Sequence, residues 1–220
     1  MSFGIICAAA ASKVSCRGME SPDLNELISG ADAALFKLIN GGLGRPSLDP
    51  FMLAATWLGT GGAQASILLS LGAIGLWRRL SSAKWTALAG ILGLVFGFAA
   101  SQIGKHIWER PRPLLALFDV RIVGDTLFVH SFPSGHTTTV FAVAAACGTM
   151  APRYRFVLYA LAAAVGLSRV YVGAHYPIDV LYGALLGYAA GCAAARLLRP
   201  ALIRRQRDAG PTPQEAAEAR

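Results

Sequence analysis

The sequence predicts an all-α integral-membrane bundle of about five spans, preceded by an amphipathic helix lying on the membrane surface. Three observations carry this. The 220 residues are 55% hydrophobic and 15% charged, with mean hydropathy +0.50, where a soluble domain carries about a quarter charged residues. Pro50 to Trp77 and Trp85 to Gly104 contain no charged residue at all. The shorter apolar runs that follow alternate with basic breaks.

Taken in order, residues 1–22 read as an N-terminal tail. Their apolar patch, Phe3 to Ala11, lacks the basic residues that open a signal peptide. Asp23 to Asn40 places Leu24, Leu27, Ile28, Leu35, Leu38 and Ile39 at near-helical spacing. It also carries Glu26, Asp32 and Lys37, too many charges for a span, so a surface helix fits. Gly41, Gly42, Gly44 and Pro46 end it. Spans are expected at 51–76, 85–104, 136–152, 156–172 and 179–198. Residues 23–200 thus form one membrane domain, and 201–220 a polar, disordered cytoplasmic tail. Cys147 and Cys192 fall inside spans as packed thiols, and the Cys spacing fits no metal site. Trp57, Trp77, Trp85 and Trp108 stand near span ends as interfacial belt residues.

The net charge of +8 is distributed as topology requires. Arg78, Arg79 and Lys84 fill one break, Arg153 and Arg155 another, and Arg196 to Arg207 follow the last span. These breaks share one face, which the positive-inside rule makes cytoplasmic. Their partners are anionic lipid headgroups; no nucleic-acid motif accompanies them. Nothing in the sequence specifies an oligomeric state.

Residues 1–50, the loop Lys105 to Pro133 and the turn Val172 to Ile178 then face outward. The long loop carries Lys105, Arg110, Arg112 and Arg121 on the face where the charge rule expects few cations. Three clusters border this face: KHIWERPRP at Lys105–Pro113, PSGH at Pro133–His136, and SRVYVGAHYPID at Ser168–Asp179. Ser134, read alone, is a helix cap. Read with the others, it belongs to a set of Lys, Arg, Ser, a Gly amide, two His and an Asp converging at one membrane depth, where ionisable groups are costly and functional.

That set suits phosphate. Arg offers a planar fork to pairs of phosphate oxygens, Lys a mobile point charge, and a helix start adds amide donors. Two His remain, as nucleophile and as acid for the leaving oxygen. Pro177 at the first helical position leaves His175 just outside a helix and puts Asp179 in its first turn. From there Asp179 can reach back to one imidazole nitrogen and leave the other free to attack.

Lys105 with six residues before Arg112-Pro113, then Pro133-Ser134-Gly135-His136, then Ser168-Arg169 with five residues before His175 and three before Asp179, resembles the type 2 phosphatidic acid phosphatase (PAP2) superfamily. The resemblance implies a phosphate cradle of Lys105, Arg112, Arg169, Ser134 and the Gly135 amide. It implies His175 as the nucleophile that forms a phosphohistidine, Asp179 as its orienting partner and His136 as general acid, then base for water. It implies no metal or other cofactor. Arg110 holds no defining position and fits snorkelling to headgroups as well as substrate contact. His106 and His130 read as ordinary loop histidines.

The expected function is therefore that of a metal-independent lipid phosphatase of the bacterial cytoplasmic membrane, its site facing the periplasm or exterior. Undecaprenyl diphosphate is favoured, with phosphatidylglycerophosphate, phosphatidate and a lipid A phosphate as alternatives. A lipid-phosphate binding or transport protein is the non-enzyme reading, and vanadate-dependent peroxidase chemistry a third. The spans lack the paired broken helices of inverted-repeat transporters, and the membrane bundle speaks against a peroxidase.

Overall fold

The computed structural model describes residues 24–208. Helix α1 (Leu24–Lys37) runs into a π-turn at Leu38–Gly42, and α2 (Asp49–Leu58), α3 (Gly61–Trp77) and α4 (Ser81–Ile107) follow. After the short α5 (Pro113–Ala116) come α6 (Gly135–Met150), α7 (Arg155–Tyr171) and α8 (Pro177–Asp208). No strand occurs among the described residues, so the chain is all-α as expected.

The centre of the bundle is α6, held between α4 and α8 with α7 alongside. Small residues make this possible. Gly183, Gly187 and Gly191 recur every four residues and so share one face of α8. A methyl group at Gly187 would overlap the Thr138 carbonyl oxygen, and one at Gly191 that of Ala142. On the other side Gly93 of α4 lies against the Ala142 carbonyl and Ala146, and Gly97 against Ala142 and Thr138. Lipid tails are as apolar as leucine, so helices in a bilayer associate through such close van der Waals contact.

By length and composition α4 and the Pro177–Leu198 part of α8 can each cross a bilayer, with α2 and α3 as a third span if the bent pair is counted as one. The expected five include α6 and α7, of 16 and 17 residues. These are roughly 24–26 Å long, against a hydrocarbon core of ~30 Å.

Two expectations change. The span predicted at 51–76 is bent by 63° between α2 and α3. Thr60 adopts an extended backbone and caps α3 through the Ala63 amide, while Gln64 Nε2 donates to the Gly59 carbonyl at 2.8 Å. A side chain at Gly59 would strike Val165 and crowd His136, so the break brings bare backbone against the site. The tail expected from residue 201 is still helical to Asp208, through Ala, Leu, Ile and Arg, which extend helices readily. Residues 1–22 lie outside the described residues.

Helix α1 is amphipathic as expected: Leu27, Ile28, Leu35 and Leu38 of its apolar set are exposed on the protein surface, open to lipid. Asp32, Phe36 and Asn40, four residues apart, are buried at 3%, 1% and 1% exposure. The helix therefore docks on the bundle through a mixed polar stripe that includes Asp32.

Candidate active site

The long outer loop is ordered by being stitched to its neighbours. Asn40 Nδ2 donates to the carbonyls of Arg121 (2.7 Å) and Tyr171 (2.8 Å), and its Oδ1 accepts from the Arg121 amide (2.9 Å). The Val123 amide donates to the Val172 carbonyl at 3.2 Å. Gly173, at φ +84°, turns the chain beneath this loop where a side chain would collide with the Arg121 carbonyl. The turn after α7 is thereby clamped, and it carries His175.

His175 is 2% exposed. Its Nδ1 lies 2.6 Å from the Ser131 carbonyl. A carbonyl oxygen only accepts, so Nδ1 carries the proton and Nε2 keeps its lone pair. Nε2 is 3.4 Å from Nη1 of Arg112. Burial pushes the imidazole down to about 4, and the nearby Arg112 and Arg169 charges add to this, with the Asp179 carboxylate working the other way. The ring is therefore neutral at physiological pH.

Arg112 is fixed by backbone: Nε donates to the Val129 carbonyl and Nη1 to the Ala174 carbonyl, both at 2.8 Å. Val129 and Ser131 present their carbonyls to Arg112 and His175 on either side of His130, which adopts a left-handed φ of 42°. Arg169 is 4% exposed, and its Nε has no hydrogen-bond partner. A buried donor left open in this way is costly unless an acceptor arrives.

Ser134 stands at the N-cap of α6 yet makes no side-chain cap bond. Its hydroxyl accepts from Thr137 at 2.9 Å, its carbonyl from the Thr138 hydroxyl at 2.9 Å, and its amide donates to the Asp179 carbonyl at 3.1 Å. The threonines thus tie down the turn and leave the first amides of α6 to a ligand. At Gly135 a side chain would enter the space between the Ser101 hydroxyl and Lys105 Nζ. A cavity of about 410 Å³ opens there, lined by Lys105, Gly135 and His136 on one side and Leu94, Val95 and Phe98 on another. A larger apolar cavity of about 520 Å³ near Arg153 and Tyr154 touches none of these groups. Arg169, His175, Lys105 and Arg112 all lie within electrostatic reach of His136. All eight predicted site residues therefore meet at one end of the bundle, with His136 on the cavity side and His175 behind.

Residues 67–202 match the family model for the PAP2 superfamily. The chain belongs to the PAP2 superfamily. Lipid A 1-phosphatase of Rhizobium etli is 54% identical over 108 residues, 47% of this chain and 47% of that protein. Undecaprenyl-diphosphatase BcrC of Bacillus subtilis is 35% identical over 123 residues, 54% of this chain and 59% of that protein. The matches thus span about half the length of these curated relatives. The crystal structure of Aquifex aeolicus LpxE superposes with a TM-score of 0.63 at 29% identity, covering 74% of this chain and 93% of that one.

Within this PAP2 chain one expected contact is corrected. Asp179 does not hydrogen-bond the imidazole: its Oδ2 is 3.8 Å from His175 Nδ1. The Ser131 carbonyl has taken that place, and Asp179 acts at one remove. Its Oδ2 accepts from the Ser131 hydroxyl (2.5 Å) and the Tyr176 amide (3.0 Å), and its Oδ1 from Arg110 Nη1 (2.7 Å). Arg110 neither snorkels nor faces the cavity; it bridges Asp179 to Asp32 Oδ2, 2.6 Å from Nη2. Sequence reasoning missed Ser131 and Asp32. Ser131 lies outside every motif, and its decisive group is a backbone carbonyl. For Asp32, an acid in the apolar stretch Ala31 to Phe36 and a surplus Arg in the distant Lys105–Pro113 motif were the available signals.

Proposed function

We propose that the protein is a metal-independent membrane lipid phosphatase working through a phosphohistidine. The observation that carries this is the state of His175: a neutral ring, its Nδ1 proton held by the Ser131 carbonyl, with Nε2 beside Arg112. In this reading Lys105, Arg112, Arg169, Ser134 and the Gly135 amide hold the phosphate, the open Arg169 Nε among them. His175 Nε2 attacks phosphorus as the bond to the leaving lipid oxygen breaks, and His136 donates a proton to that oxygen. His136 then takes a proton from water, which attacks phosphorus, breaks the P–N bond and releases inorganic phosphate. Arginines and lysine aimed at the equatorial oxygens stabilise the charge of the transition state.

The cavity supports a lipid substrate, since Lys105 and the apolar Leu94, Val95 and Phe98 line the same space. The favoured substrate class is the glycosyl phosphate of a lipid A-like molecule, on the strength of the 54% identity to a lipid A 1-phosphatase. Undecaprenyl diphosphate, the expectation from sequence, is the second reading, supported by the similarity to BcrC. The bilayer is the cytoplasmic membrane, with the site outward. Lys105 ends α4 and Gly135 begins α6 at the site cavity, which supports placing the opposite ends of these helices, with the basic turns before Ser81 and after Met150, away from the site.

Phosphate release by purified protein from lipid A 1-phosphate, undecaprenyl diphosphate, phosphatidylglycerophosphate and phosphatidate tests this. Turnover should survive EDTA and stop with vanadate, which mimics the five-coordinate phosphoryl group. Activity lost in EDTA and restored by magnesium would refute the metal-free route. Tight vanadate binding without turnover on any substrate would favour a binding or transport protein.

A further inference from the structure

The most heavily buried charges outside the phosphate cradle form one chain. Asp32 on α1 and Asp179 on α8 both have fully buried side chains, and Arg110 from the outer loop lies between them. The guanidinium uses its two terminal nitrogens for the two carboxylates and rests 4.0 Å above the Tyr176 ring. Asp32 Oδ1 also accepts the Ile178 amide at 2.9 Å, in the first turn of the helix carrying Asp179. Asp179 in turn holds the Ser131 hydroxyl, and Ser131 holds the His175 ring. Each link is a directed hydrogen bond between buried or largely buried groups, so the last ring inherits the position of the first carboxylate.

We propose that Asp32 and Arg110 are positioning residues: a brace that sets Asp179, and through Ser131 the tautomer and aim of His175. Two features separate this from a structural ion pair. Arg110 already has a full partner in Asp179, and the second buried carboxylate, itself anchored by the Ile178 amide, holds the other arm of the fork in place. The brace also ends at two acceptors near His175 Nδ1, the Ser131 carbonyl and Asp179. Burial works to lower the Arg110 pKa, but Asp179 and Asp32 together push it up, so the bridging cation persists at every working pH. Helix α1 thereby becomes part of the reacting end of the protein, although none of its residues belongs to the phosphate cradle.

The proposal rests on the phosphatase reading, and two measurements keep the two apart. The first is turnover by Arg110→Met, Arg110→Lys and Asp32→Asn beside wild type. Arg110→Met should lower kcat about a hundredfold, the scale of losing hydrogen bonds to charged groups. KM and vanadate inhibition should stay near wild type, because the cradle is untouched. Arg110→Lys should recover part of kcat, as an ammonium can hold one carboxylate but not fork between two. Asp32→Asn, isosteric and able to fold where Arg110→Met fails, should cost about tenfold in kcat. Wild-type kcat in Asp32→Asn, or a raised KM with unchanged kcat in Arg110→Met, overturns the brace. The second measurement needs no turnover: 15N NMR of histidine-labelled protein in detergent, with His175 assigned by its loss in His175→Asn. Wild type should give a protonated Nδ1 and a bare Nε2, and Asp32→Asn a mixture of tautomers. An unchanged pattern in Asp32→Asn overturns the brace even if wild type releases no phosphate, an outcome that would defeat only the phosphatase reading.

Discussion

The middle of the bundle and its outer end are held by different physics. In the middle, α6 lies between the glycine-lined faces of α4 and α8, and the contact is backbone against backbone. Such packing is non-directional and tolerates little added volume. At the outer end α1, the long loop and the turn before α8 are joined by hydrogen bonds from Asn40, Arg110, Arg112, Ser131 and Asp179. Those bonds are directional, so they can fix a tautomer or the heading of a guanidinium, which shape packing cannot. The fold is set in the middle and the chemistry at the end.

Separate substitutions should break each region alone. Gly191→Leu should yield little folded protein, because the side chain would enter the Ala142 backbone; size-exclusion profile and helical circular dichroism check this. His175→Ala should fold normally and lose turnover by about a thousandfold or more, as expected on removing a nucleophile. If His175→Ala kept near wild-type turnover while His136→Ala did not, the assignment of nucleophile and acid would be reversed.

Sidedness sharpens the contrast between the ends. With the four native Cys removed, a single Cys at Asp125 and another at Ser82 both occupy exposed positions. In intact cells an impermeant maleimide should label the first and spare the second. The reverse pattern would put the site in the cytoplasm.

Arg169→Lys is a smaller perturbation of the outer end. Losing the planar fork should lower kcat/KM about a hundredfold with the helical content unchanged. Unchanged kinetics would remove Arg169 from the cradle.

The smallest expected effect is on stability. His175 falls from its ordinary value of 6.5 to about 4 on folding, so below pH 6.5 the unfolded chain binds the proton and the folded one does not. The contribution of His175 to stability should therefore be complete above pH 6.5, decline as pH falls toward 4, and level off below. Thermal midpoints should fall over this range less steeply in His175→Gln than in wild type; an equal slope in that variant would contradict the buried neutral ring.

Much of this was legible in sequence because the signals are local. Uncharged runs announced the membrane helices, and fixed spacings put Lys105, Arg112, Ser134, Gly135, His136, Arg169, His175 and Asp179 at helix ends on one face. The bend between α2 and α3 was written in Gly59-Thr60-Gly61-Gly62, but an uncharged run hides a break inside it. Asp32 was legible only as one charge too many for a span, because periodicity gives the faces of a helix without saying which one meets protein. In a bilayer the apolar face of α1 is free to point outward, and the polar stripe of Asp32 and Asn40 is the one with partners.

By itself the sequence determined the helical membrane class and the superfamily, and it picked out the residues proposed to hold a phosphate, since each follows from composition or short-range spacing. Only the tertiary structure decided that Ser131 rather than Asp179 meets the imidazole, and that Arg110 joins α1 to α8. Those contacts link residues 44, 69 and 78 positions apart in the chain. A carbonyl that outcompetes a carboxylate for one N–H does so by distance alone, and distance between remote segments exists only once the glycine-packed bundle has closed.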